Sequence, residues 1–203
     1  MDVWRPLDWK APLNFGYTIE AAKQSGNYST DSIQAGAAYA NIGYSIPQIP
    51  LKPRFTVQYD YATGNNNPKN GVMGRFDQLY PSNHDVFGLV DLLGWENIVQ
   101  ERAGVTVQPI NHLAVSFDFR QLYLADGNDS LYSSTGSVLV KSPSKGALSR
   151  NVGQEPDLYA KYDVRYNITV GAGYGYLFAG PFLTENSKGD RTTIAYTFGT
   201  YKF

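Results

Sequence analysis

Apolar and polar side chains alternate with a period of two along most of the chain. Over Arg54-Phe55-Thr56-Val57-Gln58-Tyr59-Asp60-Tyr61 the odd positions are apolar or aromatic and the even ones polar or charged. Leu113, Val115, Phe117 and Phe119 repeat the pattern against Ala114, Ser116, Asp118 and Arg120. Successive side chains of a strand point to opposite faces, so each such segment is a strand with one greasy and one polar face. Eight strands are predicted, over 12–23, 32–45, 53–63, 96–108, 112–125, 155–165, 167–178 and 190–203. At roughly 10 to 14 residues they exceed the usual globular strand and match a tilted membrane crossing, which needs about 9–11 residues.

The greasy phase includes Leu13, Phe15, Tyr17 and Ile19; Phe55, Val57 and Tyr59; Val105 and Val107; Phe117 and Phe119; Leu158 and Tyr162; Val170 and Tyr174; and Ile194, Tyr196 and Phe198. None is charged in a chain that is 17% charged, as a lipid-facing surface requires. Lys23 and Glu101 share this phase, but near strand ends. The opposite face carries Glu20, Arg54, Asp60, Arg102, Asp118, Arg120, Lys161 and Asp163. The 32–45 segment is the weakest case, with Ala, Gly and Tyr on both faces.

The connections sort by length: long over 24–31, intermediate over 46–52, very long over 64–95, short over 108–111, long over 126–154, short near Tyr166 and long over 179–189. Short turns on one side and long loops on the other describe an outer-membrane barrel. The fold class predicted is therefore all-β, an antiparallel transmembrane β-barrel. The rivals are a small closed eight-stranded barrel with a structural or adhesive role and a soluble lipocalin-like barrel, whose greasy face would point inward. The last strand changes phase between Phe198 and Tyr201, which predicts a bulge near Gly199. Its aromatic end at Phe203 resembles the signal read by the outer-membrane barrel assembly machinery.

Composition narrows the chemistry. With 203 residues and a net charge of −1, the chain has no basic surplus for binding nucleic acid. It has no cysteine and two histidines, so thiolate chemistry and thiolate zinc sites are excluded. No apolar run is long enough for a membrane helix, and mean hydropathy is −0.34, a window average that alternation in a barrel would evade. Met1 to Arg5 lacks the pattern of a signal peptide. No Gly-x-Ser-x-Gly or His-Glu zinc motif occurs, so no enzyme activity, catalytic residue, cofactor or metal ligand is predicted. His84 beside Asp85 reads as a surface or capping residue, and His112 as part of a turn. Asp126-Gly127-Asn128-Asp129-Ser130 has oxygen ligands near calcium spacing but no closing Glu, and reads as an exposed loop tip.

The 64–95 loop stands apart. Val86, Leu89, Val90 and Leu93 have helical spacing, which predicts about two turns of helix there. Three of its stretches, Tyr59-Asp60-Tyr61-Ala62-Thr63-Gly64, Phe76-Asp77-Gln78-Leu79-Tyr80-Pro81 and Asp91-Leu92-Leu93-Gly94-Trp95-Glu96-Asn97, resemble the alginate export family of outer-membrane proteins, and Gly173 to Leu183 is similar to that family's last hairpin. The resemblance implies a monomeric barrel of about eighteen strands and roughly twice this length, with a polar, arginine-bearing lumen. On that basis residues 1–203 are expected to be the C-terminal part of one such barrel, in the outer membrane of a Gram-negative bacterium. Membrane lipid, the assembly machinery and a permeating saccharide or anionic solute are its expected partners.

The lumen candidates are Arg54, Arg102, Arg120 and Lys161, read either as a basic ladder for an anion or as partners of inward Glu20, Asp60, Asp118 and Asp163. Arg75, with Phe76 and Asp77, is the loop candidate for a constriction or for a loop packed on itself. Gly171, Gly173 and Gly175 fall inward, where they either make room for a loop or substrate or, the preferred reading, let neighbouring aromatics pack against a thin wall.

Overall fold

Alternation determines the faces of a strand, whereas pairing determines its ends. In a computed structural model, which describes residues 14–67, 69–79, 86–189 and 191–203, the strands are β1 (Phe15–Tyr28), β2 (Asp31–Ser45), β3 (Arg54–Ala62), β4 (Val72–Met73), β5 (Ile98–Ile110), β6 (Leu113–Leu124), β7 (Leu131–Tyr132), β8 (Val138–Val140), β9 (Asn151–Arg165), β10 (Ile168–Ala179) and β11 (Arg191–Tyr201), with a short helix α1 (Pro181–Asn186) before the last. The eight long strands form one antiparallel sheet in the order β1-β2-β3-β5-β6-β9-β10-β11. Among the described residues β1 and β11 are its two edges and do not pair, so the sheet is not closed. Short β4 runs parallel to the start of β2. His84, Asp85, Leu13 and Met1 to Arg5 lie outside the described residues.

The two faces have opposite chemistry, and burial shows which is which. Val57 is 64% exposed and Leu158 52%, whereas Asp60 is 0% and Asp118 2% exposed. A soluble protein buries the first kind and exposes the second. Here the greasy face is the outer one, which excludes the lipocalin-like arrangement. The outer face also has a polar stretch. Tyr59, Glu101, Gln121 and Gln154 form one cross-strand row. Within it the Gln154 amide donates to Gln121 (2.8 Å). On β6 the apolar positions run from Leu113 up to this row, roughly 26 Å along the strand.

At the loop end, the inner face carries the hydrophobic core, in which Ile98, Leu122 and Val152 of the wall pack with Phe87, Leu93, Leu131 and Phe182 of the loops. Loops 63–97, 125–150 and 180–190 gather at this end, and the connections 46–53, 111–112 and 166–167 at the other.

Four expectations are corrected. The long loop over 24–31 is a two-residue turn, Ser29-Thr30, with Ser29 at φ 55°. Polar Gln24 to Asn27 read as loop, yet they continue β1 in register with β2 as far as Tyr28 and Asp31. The last strand shows the opposite face from the one predicted: Ile194, Tyr196 and Phe198 pair with Gly175, Gly173 and Gly171 and so point inward, while Thr193, Ala195, Thr197 and Tyr201 point outward. No bulge interrupts that pairing at Gly199. Finally, Gly88 at φ 100° and Asp91 at φ 53° break the two-turn helix expected over 86–93. A charge placed within the apolar belt tests the face assignment. Phe117→Arg is expected to lower unfolding stability in lipid vesicles by about 2–4 kcal/mol, and Glu101→Arg by at most about 1 kcal/mol, both read by denaturant titration.

Candidate functional site

Period-two phase brings the polar side chains of β3, β5, β6 and β9 together in two adjacent inner rows, Gln58-Arg102-Arg120-Glu155 and Gly104-Asp118-Asp157. Asp60 and Gln100 form the next row towards the loops. Arg102 donates to Gln58 and to Asp118, both at 2.8 Å. Arg120 lies 3.6 Å from Asp118 and donates to Asp157. Gln58 and Gln100 amides both donate to Asp60, at 2.8 and 2.7 Å. Four buried carboxylates, Asp60, Asp118, Glu155 and Asp157, thus lie in a cluster with two guanidinium groups, which pair with Asp118 and Asp157 only. The near balance of charge read from the sequence does not hold within this cluster.

The loop supplies the missing donors. Leu89 N–H donates to Asp157 (3.1 Å) and Val90 N–H to Glu155 (3.0 Å), while the Val86 carbonyl accepts from Gln100 (2.8 Å). A helix would spend those N–H groups on its own carbonyls. Gly88 makes the docking possible, since its φ of 100° suits glycine and a Cβ there would overlap the Glu155 carboxylate. The segment 86–90 is thus held against the inner wall by its backbone.

A second cluster ties the loops to one another. Arg75 lies 3.4 Å from Glu96, and its guanidinium stands 4.3 Å from the centroid of the Tyr132 ring. Tyr132 O–H donates to Asp129 (2.6 Å). Burial, the hydrogen bond to Asp129 and the charge of Asp129 push the Tyr132 hydroxyl up to about 12. Burial likewise lifts Glu96 to about 7, outweighing the pull of Arg75, and the charges of Asp77 and Asp129 add to the rise. Asn97, buried and at φ 48°, accepts the Asp126 N–H (2.8 Å) and donates to the carbonyls of Asp126 (3.1 Å) and Ser130 (3.0 Å). Asp129 also accepts the Asn65 N–H (2.7 Å). The stretch read as an exposed tip is therefore mostly stitched into the loops, with Asp129 buried. Phe76 is buried edge-on against Trp95, with ring centroids 5.5 Å apart. Gln24 clasps the Asp77 backbone from both sides.

The sequence candidates separate into three groups. Arg102, Arg120, Asp60 and Asp118 meet in the wall cluster. Arg75 sits in the loop cluster, 30% exposed. Arg54 donates to Ser45 (2.9 Å), and neither Arg54 nor Lys161 has an ion pair among the described residues. Sequence reasoning missed Glu155, Asp157, Gln58, Gln100 and Asn97. Phase alone would have turned Glu155 and Asp157 inward with Lys161, but their loop partners are 65 and 68 residues away.

The three stretches singled out in the sequence converge here. The Thr63 carbonyl accepts Phe76 N–H (3.0 Å) and Asn97 N–H (3.3 Å), and Trp95 N–H donates to Gln78 (2.8 Å). A family model described as alginate export matches residues 6–197. The chain belongs to the alginate export family. No curated protein matches it. Alginate export proteins are outer-membrane transport channels and not enzymes, which places the chain in the outer membrane. For this member of the alginate export family the motifs that identify it are one another's hydrogen-bond partners.

Two measurements probe the clusters. Arg120→Met leaves Asp118 and Asp157 buried without their shared cation and is expected to cost about 3–5 kcal/mol in denaturant unfolding, whereas Lys161→Gln costs under about 1 kcal/mol. Glu96 ordinarily loses its proton near 4.5 but holds it to about 7 when folded. Its contribution is therefore full below pH 4.5 and lost as pH rises through 7. The melting temperature should fall between pH 5 and 8, and Glu96→Gln should flatten that slope.

Proposed function

We propose that the chain forms the C-terminal wall segment of a single larger outer-membrane barrel of about eighteen strands, monomeric when complete and located in a Gram-negative bacterium. It passes a hydrophilic solute, saccharide or anionic, by diffusion. The observation that carries this reading is the inversion of the faces, greasy outside and charged inside, in a member of the alginate export family. The outer face meets lipid. Loop 64–95 narrows the inner side, because its 86–90 segment docks on Glu155 and Asp157. Inward Arg54, Arg102, Arg120, Lys161, Asp60 and Asp118 make the wall polar and offset lost hydration of the solute. Arg75, partly exposed beside the docked loop, is the cation that meets it.

Single-channel recording of the complete barrel in planar bilayers tests this. Open steps with anion preference are expected, and Arg75→Ala should reduce that preference by about twofold. Unchanged selectivity removes Arg75 from the path, and the absence of conductance defeats the channel reading.

A further inference from the structure

The pair Asn-Gly occurs once in the sequence, at Asn70-Gly71, and both residues are exposed. Asn70 sits in a turn held by its own side chain. Its Oδ1 accepts the Val72 N–H at 3.0 Å, and its backbone N–H donates to the Asn67 carbonyl at 3.3 Å. A side chain bonded two residues ahead folds over the intervening peptide, which brings Asn70 Cγ towards the Gly71 nitrogen. Gly71 has φ 72°, which suits glycine, and nothing lies within 4 Å of where a Cβ would stand. Its N–H has no acceptor among the described residues. Its carbonyl, by contrast, accepts the Ser32 N–H at 2.9 Å and the Ser32 hydroxyl at 3.4 Å. From there Val72–Met73 runs parallel to Ser32–Ile33 as β4.

Ring closure on an asparagine needs what this turn provides. The unengaged Gly71 nitrogen is the nucleophile, and glycine leaves its approach open. The Val72 N–H already stands at the oxygen on which negative charge develops. Asn97 is the contrast: it is buried, Ile98 follows it, and its side-chain amide is bound to the Asp126 and Ser130 carbonyls.

We propose that Asn70 is a self-modification site, at which the folded turn converts the asparagine to aspartate and isoaspartate. Hydroxide takes the proton from the Gly71 nitrogen, which then attacks Cγ. The N–Cγ bond forms and the Cγ–Nδ2 bond breaks. Nδ2 leaves as ammonia with a proton returned by water, and a succinimide ring is closed. Water then opens the ring. Attack at Cγ breaks its bond to the Gly71 nitrogen and gives aspartate. Attack at the main-chain carbonyl carbon of residue 70 gives isoaspartate, in which the backbone runs through Cβ and Cγ. That extra backbone atom moves the Gly71 carbonyl off Ser32 and frees β4 from β2.

Peptide mass mapping of the full chain, held in detergent and mildly alkaline buffer, tests the site. The peptide spanning Asn70 should gain about one dalton as the amide becomes an acid. A hydrogen bond of ordinary net strength to the developing oxyanion is worth about two- to tenfold in rate, so the folded chain should convert that much faster than the same chain in denaturant. Val72→Pro removes the donor but keeps Asn-Gly, and should bring the folded chain down to the unfolded rate. Asn70→Gln, which would have to close a six-membered ring, should lose the conversion. Hydrogen exchange at the Ser32 N–H should accelerate in the isoaspartate product and stay slow in Asn70→Asp, which keeps the acceptor for Val72. Folded conversion no faster than unfolded, or untouched by Val72→Pro, overturns the site. Unchanged Ser32 protection in the isoaspartate product overturns the release of β4.

Discussion

Backbone N–H groups inside a wall must find acceptors, and the docking of loop 86–90 follows from that constraint. Glu155 and Asp157 accept the N–H groups of Val90 and Leu89, and much of the inner face is arranged around these two carboxylates. They need a cation, which Arg120 supplies, and Arg120 in turn draws in Asp118, which Arg102 completes. They also need space, which Gly88 leaves. A wall with balanced charge would have no acceptors to spare for a loop. The surplus of carboxylate is what lets an irregular segment rest on a sheet without forming secondary structure of its own.

The loop cluster obeys the same logic with different parts. Asn97 uses its backbone and its side chain to connect the 63–64 strand exit, the 125–130 turn and the start of β5. Arg75 between Glu96 and Tyr132 closes the other flank. Each of these loop stretches is constrained by the others, whereas the outer strand faces need only be apolar.

Most of the wall was legible in the sequence, since alternation is a local signal and lipid forbids charge on one phase. What failed was decided at long range. Gln24 to Tyr28 has loop composition, yet a complete ladder with Asp31 to Ala35 holds it as strand. Tyr196 and Phe198 carry the same apolar signal as a lipid face, and only the glycines opposite them on β10 turn them inward. Helical spacing at Val86, Leu89, Val90 and Leu93 was real, but wall carboxylates captured the N–H groups a helix would have used. Of the site, the arginines and Asp60 and Asp118 could be read from phase, while the role of Glu155 and Asp157 depends on partners no periodicity reveals.

The outer row Tyr59-Glu101-Gln121-Gln154 is one residue along each strand from the inner row Gln58-Arg102-Arg120-Glu155. On the lipid side this polar step, continued in the same row by Ile19, Ala40 and Phe178, stands at the height of the docked loop. The wall is thereby divided lengthwise into a short, crowded collar and a longer, open shaft beneath it. In the channel proposed above, a solute sheds its hydration over the length of a collar and keeps it over the rest, which concentrates the resistance to passage near one end of the wall.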